Sequence, residues 1–149
     1  MQRSFQVMKR RRGTSMVEAA AGIMVGLPLV IAIIFVGLEV SMYFMIQSNL
    51  DAATRKATRA LAHQWGRDPA VASDPSRQRA IYMDCLINGY VNDPAQFSNP
   101  VFNGQDPPSV TVVGTYTSGQ YGLASYPPPN PLNLGNNFII RSEATYRLE

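Results

Sequence analysis

Gly13-Thr14-Ser15-Met16-Val17-Glu18, with the apolar run behind it from Ala19 to Leu38, decides how this chain is built. Ahead of Gly13 stand five basic residues, Arg3, Lys9, Arg10, Arg11 and Arg12, and no acidic one. After Glu18 the next charge is Glu39, so twenty consecutive residues are uncharged, and eleven of them are Val, Ile, Leu or Phe. A helix rising about 1.5 Å per residue crosses the roughly 30 Å hydrocarbon core of a bilayer in that length. At about −0.3 to −0.6 kcal/mol each, the eleven side chains favour insertion by about 3 to 7 kcal/mol. The run predicts a transmembrane segment over about 19–38. The alternative is a buried helix of a soluble core, which is usually shorter and broken by polar residues.

The basic cluster should stay in the cytoplasm under the positive-inside rule, leaving the rest of the chain outside the inner membrane. A secretory signal carries a small-residue cleavage site behind its apolar run. Here that region reads Glu39-Val40-Ser41-Met42-Tyr43-Phe44, and the small residues Ala19-Ala20-Ala21 lie on the other side. The apolar run is therefore expected to be kept.

A short basic leader, a Gly, and a Glu five residues later at the head of an apolar helix resemble the processing pattern of type IV pilins. Finer details are similar to the TadE-type pseudopilins of Tad (Flp) pili. These are Val17-Glu18 entering the helix, the Leu27-Pro28 step, and the Ala/Arg-rich stretch from Ala52 to Ala60. The resemblance covers about the first third of the chain. It implies a precursor cut by a prepilin peptidase between Gly13 and Thr14, with Glu18 retained. It implies partnership with inner-membrane lipid, the peptidase, other pilin or pseudopilin subunits and the pilus machinery, in assembly, adhesion or secretion. One departure is Thr14, where many type IV pilins have Phe; this favours a minor or divergent pilin-like protein.

The formal charge of +3 is a property of the leader. Without residues 1–13 the chain has eight Lys/Arg against ten Asp/Glu, a net of −2, so nucleic-acid binding is not expected. The single cysteine, Cys85, excludes an intramolecular disulfide, a staple that many type IV pilins carry in their C-terminal region.

Pro28 lies mid-run, where its missing N–H predicts a kink, or else a tolerated proline. Gly22 and Gly26 make a small-xxx-small step that would allow close helix approach. Glu39 at the outer boundary is expected to reach water, or alternatively to contact another subunit. Ile46, Leu50, Ala53, Ala57, Leu61 and Trp65 continue the helical period, predicting one helix from near Ser15 to near Trp65, stopped by Gly66. Asp74-Pro75 reads as the cap and first residue of a second helix ending about Asn88, with Ile81, Cys85 and Leu86 inward. Residues 93 to 109 are proline-rich and read as loop. Val110 to Tyr116 and Phe138 to Leu148 read as strands, joined by a long Gly/Asn/Ser/Pro-rich loop. Two strands alone are marginal, so their apolar face should pack on the long helix.

The fold expected is α+β. A basic leader (1–13) precedes a long helix (14–65) with its transmembrane part at about 19–38, and a small extracytoplasmic domain (66–149) has a second helix and a small antiparallel sheet. No catalytic set, metal cluster or cofactor motif is present, and the one histidine, His63, reads as a solvated helical residue. Glu18 is the residue with a chemical rationale. A carboxylate at the edge of an apolar run has a cost. After cleavage, the Thr14 α-amino group would lie four residues away as its partner. In type IV pilins that pairing helps dock an incoming subunit. The expected function is a structural one: a pilin-like minor pilin or pseudopilin of a Tad-type pilus, with its N-terminus cytoplasmic. An uncleaved single-pass membrane protein with a small periplasmic binding domain is the other reading. An enzyme is not expected.

Overall fold

The computed structural model describes residues 2–87, 89–119 and 139–148, with side chains from residue 16 onward. The elements are α1 (Gln2–Arg67), α2 (Pro75–Met83), β1 (Val101–Asn103), β2 (Ser109–Thr117) and β3 (Ile139–Arg147). Short 3-10 turns lie at Pro69–Ser73 and Pro94–Gln96. The fold is α+β, as the sequence predicts. The chain divides into two compact units, Met1–Leu38 and Glu39–Glu149.

The first unit is helix alone. It begins at Gln2 rather than near Ser15, because no Pro or Gly precedes Gly13 to interrupt it. From Ala19 to Leu38 it carries no charge, and Ile23, Met24, Val25, Leu27 and Leu29 are exposed, while Phe35 and Val36 are half-buried. Pro28 lies inside the helix, where its missing N–H leaves the Met24 carbonyl without the usual i→i−4 donor.

In the second unit the same helix is striped. Ile46, Leu50, Ala53, Ala57 and Leu61 are buried as their spacing predicts, while Trp65 is only half-buried. Thr54 and Thr58 are buried as well. Each hydroxyl donates to the carbonyl four residues back, Leu50 and Thr54 respectively, at 2.7 Å. That local bond offsets the cost of burying a hydroxyl. Glu39 lies one heptad before Ile46, continues this inward face, and is buried (4% exposed) instead of reaching water.

The helix runs through Gly66 and ends at Arg67. Asp68 precedes Pro69, which disfavours helical backbone, and it is extended at φ −149°. Asp74 then caps α2, accepting from the Ser76 and Arg77 N–H groups at 3.0 and 3.2 Å, with Pro75 in the first turn. α2 stops at Met83, short of Asn88, which lies outside the described residues. The chain tightens there, with the Cys85 N–H donating to Tyr82. The Ile87–Val91 bridge, turning through Gly89 at φ +100°, then takes over the backbone bonds. The buried side of α2 is Gln78 and Tyr82, with Ile81 half-buried; just past its end Cys85 is buried and Leu86 half-buried.

The sheet has three strands, ordered β1-β2-β3 and antiparallel throughout. β1 falls in the stretch read as loop. It is three residues long, half or fully exposed, and too short to show an alternation. β2 alternates cleanly, with Val110, Val112, Gly114 and Tyr116 inward. Across from them on β3 stand Tyr146, Ala144, Ser142 and Ile140. Ile140 and Ser142 are buried, Ala144 is half-buried, and Tyr146 at 43% exposed marks where the inward face runs out. Gln96, 1% exposed, anchors the Tyr90–Asp93 segment. Its amide donates to the Tyr90 carbonyl at 3.1 Å, and its oxygen accepts from the Asn92 and Asp93 N–H groups at 2.7 and 3.0 Å.

The inner face of the sheet is smallest where the helix meets it. A Cβ on Gly114 would collide with Thr54 Oγ1 and come within 3.2 Å of Leu50 Cδ1. Beside it, the Thr58 hydroxyl lies 3.5 Å from the Ala144 carbonyl. Gly114→Ala should therefore destabilise the domain by about 1–3 kcal/mol in chemical denaturation of the full chain. Gly104→Ala, with open space around it, should change it by under about 0.5 kcal/mol. In a Thr54→Ala background the Gly114→Ala penalty should shrink. Equal effects at positions 104 and 114 would show that the approach is not a constraint.

Candidate functional site

The residues singled out by the sequence all lie on α1. Gly13 and Thr14 fall within its helical span, and their side chains are outside the described residues. Glu18 is exposed, with the exposed apolar residues Met16 and Val17 just before it. On helical geometry Thr14 and Glu18 lie about one turn apart on one face. Behind Glu18, α1 is long and apolar enough to cross a membrane. Its best window has mean hydropathy 2.7, and none of that window is buried. A helix that is apolar on every side and uncovered by protein matches a lipid environment rather than a water-facing one.

The second unit supplies no reactive centre among its described residues. No group of three or more His, Cys, Asp or Glu could hold a metal there. Cys85 is free and 1% exposed. Burial pushes its thiol above the ordinary 9.0, with Lys56 pulling part of the way back. That is the opposite of what activates a nucleophilic cysteine.

Sequence reasoning overlooked a feature of the outer face. Arg55, Arg59, His63 and Arg67 repeat every fourth residue, and all four are exposed. The repeat was legible as identical i, i+4 spacing of four basic side chains.

Comparison with known proteins agrees with the N-terminal reading. The family model described as TadE-like protein matches residues 13–59. The matched segment runs from Gly13 through Glu18 and Pro28 to Arg59, and so lies wholly within α1. No curated protein and no solved structure matches the chain. Residues 13–59 are thus similar to TadE-like proteins, and the same helix is long and apolar enough to cross a membrane.

The buried acids make the domain sensitive to alkali. Burial raises the Tyr82 phenol above 10.0, with Cys85 adding to it. Burial also raises Tyr116 from 10.0, with Tyr90 adding and a hydrogen bond from Ser118 opposing. For all three groups the unfolded chain gives up its proton first. Their contribution to stability is thus complete below about pH 9 and falls as pH climbs towards the higher folded values. Urea midpoints of the full chain should be flat from about pH 7 to 9 and drop above it. Cys85→Ala should remove the earliest part of that drop, and an unchanged profile would contradict the assignment.

Proposed function

We propose that this chain is a pilin-like subunit, a minor pilin or pseudopilin, of a Tad-type type IV pilus. It is inserted in the inner membrane through residues 19–38, with its N-terminus cytoplasmic and residues 66–149 periplasmic, and it passes to the pilus or primes it. A prepilin peptidase cuts between Gly13 and Thr14. The observation that carries this reading is the exposed Glu18, one helical turn beyond Gly13–Thr14, at the head of an uncovered apolar helix that is preceded by five leader positives.

The residues then divide the work. The leader positives set the orientation, and the apolar run favours the bilayer by several kcal/mol without help from Glu18. Cleavage acts on the Gly13–Thr14 bond and creates a new amine. The Glu18 carboxylate pairs with that amine as a subunit docks in a low-dielectric setting, where opposite charges attract strongly. Pro28 loosens or bends the helix within the membrane. An uncleaved single-pass protein is the competing reading, and it gives no role to Gly13 and Glu18 at this spacing.

Mass spectrometry of protein from the native membrane should find Thr14 as the first residue; Met1 or Gln2 there would sink the processing step. Glu18→Ala should yield a stable, cleaved, membrane-embedded protein that no longer supports pili. A charge-assisted pair of about 1–3 kcal/mol corresponds to roughly a five- to 150-fold change in docking. Pilus yield read beside immunoblots of processing decides the matter, and normal pili from that strain would rule out the pairing. A reporter fused after Glu149 should be active only on the periplasmic side.

A further inference from the structure

The basic stripe on α1 has a setting that a merely solvated face lacks. Arg59, His63 and Arg67 border a groove of about 380 Å³ whose far wall is Tyr146 and Arg147 of the β3 end. Arg55, Lys56, Arg59 and His63 border a second groove of about 610 Å³ that reaches Ile81 and Asp84. From Glu39 onward the chain has eight Lys/Arg and nine Asp/Glu. Five of those eight cations line the two grooves, but only Asp84 of the nine carboxylates does. Arg77 takes both Asp68 and Asp74 as ion-pair partners. Among the described residues Arg55, Arg59, Arg67 and Arg147 form no ion pair. Like charges at i, i+4 repel along a helix. The helix dipole favours a cation in the last turn, at Arg67, but not at Arg55 and Arg59.

We propose that this stripe and its flanking grooves dock an acidic segment of a partner protein. The segment is a helix whose Asp or Glu side chains repeat at the same four-residue spacing and whose apolar side chains enter the grooves. From Arg55 to Arg67 the stripe is about 18 Å long, with guanidinium groups at Arg55, Arg59 and Arg67 and the His63 imidazole between the last two. A lone phosphate or carboxylate would reach one or two of these centres, whereas a segment with repeated carboxylates meets them all. Guanidinium groups bind carboxylates bidentately, which fixes register as well as attraction. Ala62 and Tyr146 in one groove, with Ala60 and Ile81 in the other, offer apolar contact that a polysaccharide or polyphosphate would leave uncovered. The proposal does not depend on cleavage after Gly13.

The test uses the full chain in nanodiscs and a fluorescein-labelled helical peptide of four Glu-Ala-Ala-Leu repeats. Fluorescence anisotropy should show saturable binding that a scrambled peptide of the same composition and polyphosphate compete for poorly. Arg59→Gln with Arg67→Gln should weaken binding by about tenfold or more. Arg79→Gln with Arg141→Gln removes the same charge from exposed positions outside both grooves and should leave binding within about twofold. Circular dichroism and urea midpoints establish that both double variants remain folded. Three outcomes would each overturn the proposal: no saturable binding, equal competition by the scrambled peptide or polyphosphate, or equal loss in the two double variants.

Discussion

The folded unit depends on how closely the helix approaches the sheet at Gly114. Thr54 occupies the space that any side chain at that position would need. Contact this close requires small groups on both surfaces. Ala53, Thr54, Ala57 and Thr58 supply them on α1, and Gly114, Ser142 and Ala144 supply them on the strands. Larger residues, Val110, Val112, Tyr116 and Ile140, then close the core on either side. The two threonines could not lie at such an interface without their bonds to the preceding turn, which leave the helix surface small and polar-satisfied.

One helix is thus written in two alphabets. Over residues 19–38 it is apolar on every side, which suits lipid and leaves nothing for a protein core to select. From Glu39 to Arg67 it is striped, and the inward stripe is made mostly of small residues. The family match ends at Arg59 and stops short of the strands. The part of the chain that resembles known proteins therefore lies within α1 and takes in both its uniformly apolar stretch and most of its striped one.

Long-period signals were legible in the sequence and most short ones were not. The apolar run, the alternation of β2 and the spacing of Ile46, Leu50 and Leu61 each repeat one rule over several residues, and the Asp74-Pro75 cap is legible as a specific local pair. β1 is three residues long and carries no such repeat. Its strand character comes from pairing with Ser109 to Thr111, a partner that periodicity cannot reveal. Gly66 looked like a helix stop because glycine often is one, yet the decisive residue was Pro69, acting through Asp68. Glu39 looked exposed because it is charged; its place one heptad before Ile46 outweighed that. The basic repeat from Arg55 to Arg67 lies on the outward face, which the apolar period of α1 does not mark.

The separation in sequence between the surfaces that form the core has a kinetic consequence. The Thr58–Ala144 contact spans 86 residues, and Thr54 meets Gly114 across a similarly long stretch of chain. Loop closure on that scale must precede any reward from packing, so these contacts form more slowly than the local ones within α1. On a ribosome the inward stripe of α1 emerges long before β2 and β3 exist to cover it. During that interval Ile46, Leu50 and Leu61 stand open to solvent or to a passing chaperone, and the nascent helix must wait for its sheet.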